Sequence, residues 1–311
     1  MQNKVAVLLW LYHTDLSEEF KDILFSHRND ISIFLGLCKD NDNNQAEAIF
    51  KEHFKDLDIS YFDNAGTDIL PTLNLLEKAK NYPIFFKLHS KKSNWGIKQH
   101  VNWRVLLTND LLYKDNFTRT IKGLTKKDFA IAGSKSFIMR DNEYTNHDKI
   151  IELSSLLKIH YDKLRIKSFI GGNIFAGKTE FFDIFLENKK LKLLLSKEVG
   201  LMKDDNQSTY VHSMERLFGY TAEYYSKNIL GLPWAYKVIL NPKVKTHRLH
   251  LVKLYNNDCY IQENPNIYGT ILKETMSNIL IKWLHLDICP QIYNKHSHCL
   301  INNNVNSQTT I

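Results

Sequence analysis

The chain has 311 residues, of which 43% are hydrophobic and 24% charged, and its formal net charge is +7. This composition is that of a globular protein with a substantial core, which excludes collagen-like and intrinsically disordered classes. The positive charge attracts polyanions, but it does not distinguish among nucleic acid, anionic lipid and diphosphate. No stretch reaches the roughly 18 consecutive apolar residues of a membrane span, and the start lacks a signal-peptide cleavage site, so we expect a cytoplasmic protein.

The first half of the sequence alternates strand-like apolar runs with amphipathic, helix-like segments. This alternation predicts an α/β protein with a mainly parallel sheet flanked by helices. The predicted strands are Val5–Leu11, Ile31–Leu37, Ile59–Phe62 and Ile84–Leu88. The predicted helices between them are Glu18–Phe25, Gln45–Phe54 and Ile69–Lys80.

The second half continues the alternation with longer helices. A strand is predicted at Ser168–Phe175, and the helical periodicity covers Thr179–Leu195 and Gln207–Lys227. Shorter elements are predicted at Asn102–Leu112, Phe129–Ala132, Lys149–Leu157 and Tyr161–Lys163. We therefore predict a catalytic domain over residues 1–245, a helical C-terminal extension over 246–301 and a disordered polar tail over 302–311.

The most informative segment is the end of the fourth predicted strand. The buried run there passes into potential cations, Lys87, His89, Lys91 and Lys92, with Arg104 following on the next predicted helix. Ligands of open parallel sheets bind at the carboxyl ends of strands, and cations there suit a diphosphate. A solvated basic loop is the alternative reading.

No metal site is predicted. An Asp-x-Asp pair, which could hold a divalent metal beside a diphosphate at such a strand end, is absent, because this chain has Lys-x-His-x-Lys-Lys there. The cluster Cys289, His296, His298 and Cys299 matches no common zinc spacing. We expect cationic side chains to replace the metal, and the scattered cysteines to be free thiols.

Motifs spread over residues 4–220 resemble the rhamnan synthesis F family of bacterial polysaccharide glycosyltransferases. In chain order, they are Val5–Trp10 with Tyr12-His13, Asn64–Pro71, Lys87–Ser93, Trp103–Leu107, Gly171–Phe175 and His212–Gly219. The resemblance implies a GT-A-like (Rossmann-like) fold and transfer of a sugar, often rhamnose from a dTDP donor, to a surface glycan. Asn173, Ile174 and Ala176-Gly177 depart from the family pattern, which puts donor and acceptor identity in doubt.

The resemblance also suggests donor contacts. Asp68 is placed near the ribose or base, although capping of the next helix is an equal alternative. Tyr12 and His13 would touch the base, or lie as an ordinary surface pair. Trp103 is a donor-side candidate that also suits a core anchor. Gly171, Gly172 and Asn173 would line the sugar or acceptor pocket, or mark a bulge.

A single-displacement transfer needs a carboxylate that takes the acceptor proton, and two candidates remain open. Asp205 precedes the last long helix, where it could equally be a cap, and Glu215 lies within it. Ten helical residues separate them, about 15 Å of rise, so both cannot act on one hydroxyl. The neighbouring Arg216 is a candidate phosphate ligand.

The sequence thus predicts an inverting, metal-independent glycosyltransferase with a nucleotide-sugar donor and a glycan or lipid-linked glycan acceptor. Peripheral contact with the inner face of the cytoplasmic membrane, through Lys253, Lys273 and Lys282, is an accompanying hypothesis. The alternative is a non-catalytic module that binds polyanions. We expect no nucleic-acid partner, because no recognisable nucleic-acid motif is present.

Overall fold

The computed structural model describes residues 4–92, 103–113, 115–141, 146–199 and 209–233. By compactness the chain divides into two units, residues 1–92 with 107–234, and residues 93–106 with 235–311. All strands among the described residues belong to the first unit. The predicted C-terminal extension, the polar tail and Asp205 lie outside the described residues, so the domain boundary at 245 stays a prediction.

The first half folds as the alternation predicts. Every residue of the first strand is buried, because a central strand of a mainly parallel sheet is covered on both faces. The strands are β1 (Val5–Leu11), β2 (Ile31–Cys38), β3 (Leu57–Phe62) and β4 (Ile84–His89). The helices are α1 (Ser17–Phe25), α2 (Asn44–His53) and α3 (Ile69–Lys78).

The second half contains shorter elements. Its helices are α4 (Trp103–Leu112), α5 (Asp115–Leu124), α6 (His147–Leu156), α7 (Asp183–Leu186), α8 (Lys189–Ser196) and α9 (Tyr210–Tyr224). Its strands are β5 (Phe129–Ser134), β6 (Ile138–Arg140), β7 (Ser168–Ile170), β8 (Phe175–Lys178) and β9 (Asn228–Leu232). Helix α5 and strands β6 and β9 had no counterpart in the sequence prediction.

The strands form a seven-stranded sheet in the order β3-β2-β1-β4-β8-β5-β9. Strand β8 runs antiparallel to both of its neighbours, whereas the other adjacent pairs are parallel. The predicted mainly parallel sheet flanked by helices is therefore confirmed. Strands β1 and β4 are in register at Trp10 and His89, so Tyr12 and the cationic loop follow them at the same edge.

The strand predicted at Ser168–Phe175 is wrong. It is two strands, β7 in a two-stranded antiparallel sheet with β6, and β8 in the main sheet, with a turn between them. Gly172 has φ 85° and Asn173 has φ 56°. Both lie in the left-handed region, which ends an extended strand.

The single helix predicted at Thr179–Leu195 is also wrong. The segment folds as a 3-10 turn followed by α7 and α8. Asn188 precedes α8, and its side-chain oxygen accepts a hydrogen bond from the Leu191 amide at 3.0 Å. A side chain that caps a new helix in this way interrupts the periodicity.

Helix α9 packs closely on the small sheet. A Cβ atom at Gly219 would lie 2.3 Å from the Cα of Phe169, so only glycine permits this approach. Phe218, on the same helix, joins an aromatic cluster of the core with Phe85, Phe175, Phe182 and Phe185. In the part of the chain that the structure describes, no helix is both long and apolar enough to cross a membrane.

Candidate functional site

A largely buried ion pair lies at the carboxyl end of β4, and its acidic member, Asp68, has a side chain that is 17% exposed. The Lys87 side chain has no exposed surface, and its Nζ donates to Asp68 Oδ2 at 2.5 Å and to the Asn173 carbonyl at 2.8 Å. A buried ammonium is very costly without such partners. Lys87 therefore joins the start of α3 to the turn before β8.

Asp68 occupies the N-cap position of α3, but its side chain makes no capping hydrogen bond. Its carboxylate instead accepts from Lys87, and from Asn173 Nδ2 at 2.6 Å. The capping alternative for Asp68 is therefore wrong, because two donors from distant segments take the carboxylate. Contact of this residue with a ribose or base stays a prediction.

His89 completes the cluster. Its Nε2 is 3.0 Å from the Gly172 carbonyl, and its Nδ1 is 3.4 Å from Asp68 Oδ2. We name the Asp68–Lys87–His89–Asn173 group the buried network. Its members come from α3, β4 and the turn after β7, which meet only in the folded chain.

Burial and charge pairing oppose each other in this network. Burial lowers the pKa of Lys87 and of His89, although Asp68 acts on both in the opposite direction. Burial would raise the pKa of Asp68, but His89 and Lys87 together outweigh it and hold that pKa well below its ordinary value. Near pH 7 His89 is then neutral, and Asp68 and Lys87 neutralise each other. The buried network carries almost no net charge.

The turn after β7 is fixed by α9 as well. The Gly172 amide donates to Glu215 Oε1 at 2.7 Å. The carbonyl groups of Gly172 and Asn173 face His89 and Lys87 respectively. Gly171, also predicted as a pocket residue, is tightly packed, since a Cβ there would lie 2.5 Å from Met139 Sδ.

The remaining cations of the loop after β4 are exposed. Lys91 and Lys92 are both solvent-accessible, and Lys92 forms an ion pair with Asp15. The preceding residue, Ser90, is buried, and its hydroxyl oxygen accepts from the His13 amide at 2.8 Å. The predicted cluster of cations is thus divided into a neutralised interior pair and an exposed pair.

Tyr12 and His13 lie at the same edge of the sheet. Their rings meet edge to face with centroids 5.1 Å apart. Asn41 Nδ2 donates to the Tyr12 carbonyl at 2.5 Å, and Asn64 Nδ2 lies 3.4 Å from the Tyr12 hydroxyl. The carboxyl ends of the first strands therefore present aromatic and amide groups beside the cationic loop.

Arg216 contacts residues that are not members of the buried network. Its Nε is 3.4 Å from Asp141 Oδ1, and its guanidinium lies over the Phe169 ring at 5.3 Å from the centroid. The Asp141 carboxylate also accepts from the Tyr220 hydroxyl. These contacts hold Arg216 beside β6 and β7, and its predicted role at phosphate stays a prediction.

The structure says less about three other candidates. Arg104 is buried, at 5% exposure, in the first turn of α4. Trp103 begins that helix, but its side chain lies outside the described residues, as does all of Asp205. Their predicted roles stay predictions.

Sequence reasoning missed that Lys87 is paired rather than free. The signal was available, because a lysine within the apolar run Phe85–Leu88 needs a buried counter-ion. The partner could not be chosen from many carboxylates without the fold. Among the described residues, no group of three or more His, Cys, Asp and Glu side chains is arranged to hold a metal ion, and Cys38 is a free buried thiol.

Solved structures similar to the chain include three crystal structures of S. aureus TarS 1–349. The first matches at 11% identity and a TM-score of 0.38, covering 94% of this chain and 83% of that one. The complex with UDP matches at 11% identity and a TM-score of 0.39, covering 96% of this chain and 88% of that one. The complex with UDP-GlcNAc matches at 10% identity and a TM-score of 0.34, covering 93% of this chain and 82% of that one.

The family model described as rhamnan synthesis protein F matches residues 1–226. No curated protein matches the chain significantly. The family match covers most of the chain and every motif on which the resemblance depended, so that prediction is confirmed. The chain therefore belongs to the rhamnan synthesis protein F family, a family of glycosyltransferases of polysaccharide biosynthesis.

Proposed function

We propose that this protein transfers a sugar, with rhamnose as the first candidate, from a nucleoside diphosphate donor to a glycan or lipid-linked glycan acceptor. The reaction is inverting and uses no bound divalent metal. The observation that carries the proposal is the buried network at the carboxyl end of β4, flanked by the exposed Lys91 and Lys92. Ligands of open α/β sheets bind at this edge.

The charge balance assigns different tasks to the cations. Asp68 and Lys87 neutralise each other, and both Lys87 and His89 are almost wholly buried. Neither supplies net positive charge to a departing diphosphate. Lys91 and Lys92 are exposed, and the ion pair of Lys92 with Asp15 is a weak surface pair. We therefore propose that Lys91, with Lys92, stabilises the charge that grows on the leaving phosphate, while the buried network holds the shape of the strand end.

The aromatic and amide groups at the ends of the first strands suit the nucleoside. Tyr12 offers a ring and a hydroxyl, and His13 offers a second ring beside it. Stacking and hydrogen bonds of this kind bind a base without adding charge. We propose that the nucleoside lies over these two residues and the diphosphate lies toward Lys91.

A donor screen tests the proposal. Nucleotide sugars, including dTDP-rhamnose, UDP-GlcNAc, UDP-glucose and GDP-mannose, are incubated with the full chain, with and without EDTA. Thermal shift reports binding, and release of the nucleoside diphosphate reports turnover. We expect one donor to raise the melting temperature and to be turned over equally well with EDTA.

Charge reversal at Lys91 distinguishes a specific role of this side chain at the phosphate from an effect of the protein's overall positive charge. Lys91→Glu is expected to lower turnover by about 100-fold or more, because removing one group that stabilises developing charge costs about that much. Lys122→Glu, an equal charge change on an exposed residue of α5, is the control and should retain activity. Turnover abolished by EDTA would refute metal independence. Binding of heparin or DNA without turnover of any donor would favour the polyanion-binding alternative.

A further inference from the structure

We infer that Glu215 is a positioning residue that holds the turn of Gly172 and Asn173 against the buried network, and is not the base that takes the acceptor proton. The inference rests on the proposed function for its kinetic consequence. Its structural basis is independent of the identity of the donor. It also resolves one of the two alternatives that the sequence left open.

The first step is the bond that Glu215 makes. Its Oε1 accepts the Gly172 amide at 2.7 Å, and Gly172 is buried. A hydrogen bond from an amide to a carboxylate is stronger than one between neutral groups. One oxygen of the carboxylate is thus held by a backbone group 43 residues away in the sequence.

The second step is what the turn does. With φ 85° at Gly172 and 56° at Asn173, two consecutive residues are left-handed. Glycine adopts this conformation freely, so it is Asn173 that needs support from the surrounding structure. The Gly172 carbonyl lies 3.0 Å from His89 Nε2, and the Asn173 carbonyl accepts from Lys87. The turn whose Gly172 amide Glu215 holds therefore supplies one backbone acceptor to each of the two buried side chains.

The third step is how α9 delivers the carboxylate. Gly219 follows Glu215 by four residues, so both lie on one face of the helix. The missing Cβ at Gly219 lets this face approach the Phe169 backbone at the end of the same β7–β8 segment. The close approach brings Glu215 within reach of Gly172, as required for a positioning role.

Two variants distinguish positioning from base catalysis. In Glu215→Gln an amide oxygen can still accept from Gly172, whereas Glu215→Ala removes the acceptor. The positioning role predicts that Glu215→Ala lowers turnover by about 100-fold through misplacement of the network. Glu215→Gln should stay within about tenfold of wild type, and its profile of kcat/KM against pH should keep the acidic limb. A base would be lost equally in both, and that limb would vanish in Glu215→Gln.

Hydrogen–deuterium exchange of the full chain provides a readout that needs no substrate. The Gly172 amide should exchange about 10- to 100-fold faster in Glu215→Ala than in wild type, since a bond to a charged acceptor is lost. Glu215→Gln should remain close to wild type. If no donor is ever turned over, the proposed function fails, but this measurement still decides the positioning role.

A matched control lies on the same helix. The Glu223 carboxylate accepts from the amides of Ile166 and Lys167, at 3.1 and 2.9 Å. Glu223→Ala should speed exchange at those amides and leave Gly172 protected. Equal exchange of Gly172 in wild type and Glu215→Ala would overturn the inference. So would equal acceleration of Gly172 by Glu223→Ala, because the effect would then be a general loosening of α9.

Discussion

Removal of the Asp68 carboxylate tests the central feature of the site. In Asp68→Ala the ammonium of Lys87, whose side chain is 0% exposed, keeps the Asn173 carbonyl as its one hydrogen-bond acceptor among the described residues. Breaking a buried ion pair by deleting one partner costs about 3–5 kcal/mol. Because Asp68 makes no capping bond to α3, loss of a helix cap does not add to this figure.

The measurement is urea unfolding of the full chain at pH 7.5, followed by circular dichroism. The expected loss of about 3–5 kcal/mol corresponds to a melting temperature lower by about 6–20 °C for a domain of this size. The control is Asp58→Ala, because Asp58 pairs with Lys78 and both side chains are more than 40% exposed. An exposed pair of this kind contributes about 0–1 kcal/mol.

The ion-pair account also predicts the direction in which the stability of Asp68→Ala changes with pH. Burial lowers the pKa of Lys87, and without Asp68 nothing comparable opposes it. The unfolded chain then binds more protons than the folded one between neutral pH and the ordinary lysine pKa, so stability rises with pH. Asp68→Ala should regain stability relative to wild type as the pH is raised toward 9.5. A deficit below about 1 kcal/mol at pH 7.5, or one that grows with pH, would refute the ion-pair account.

Other substitutions test the packing and the buried polar groups. Gly219→Ala should lower the free energy of unfolding by about 1–3 kcal/mol, because its Cβ would meet the Phe169 backbone at 2.3 Å. Tyr220→Phe should lower it by about 1–3 kcal/mol, since the Asp141 carboxylate, 1% exposed, loses a donor. Burial lowers the pKa of His27, so the unfolded chain binds the proton first as the pH falls and the wild-type protein loses stability between pH 7.5 and 5. His27→Gln should reduce this loss of stability.

Each of these has a measurement and a contrary result. Calorimetry of Gly219→Ala and Gly123→Ala compares a clash with backbone to a clash with a side chain. The new Cβ atom at position 123 would meet Leu230 Cδ2, the far end of a flexible side chain that can move aside. Equal losses would contradict the backbone argument. Urea unfolding within a few tenths of a kcal/mol of wild type would contradict the role given to Tyr220. If the stability of His27→Gln fell with pH as steeply as that of wild type, the acid sensitivity would belong to groups other than His27.

Local sequence patterns were sufficient to predict the first half of the fold. Short uninterrupted apolar runs such as Val5–Leu11, with seven residues, favour buried strands by their length. The segments between them repeat with helical periodicity, and the bounds of these strands and helices were found within two residues. The change from apolar strand to cations after Phe86 likewise predicts, from the sequence alone, the sheet edge at which a ligand would bind. These signals are local, and local chemistry is what a sequence displays directly.

The partners of the site residues depend instead on tertiary packing. Lys87 binds Asp68 across 19 residues and the Asn173 carbonyl across 86, and Glu215 reaches Gly172 across 43. The left-handed turn that receives these bonds was predicted as a continuous strand, because its glycines also suit a bulge. A charged residue in an apolar run indicates that it needs a partner, but only the packing of strands and helices selects which partner comes within bonding distance.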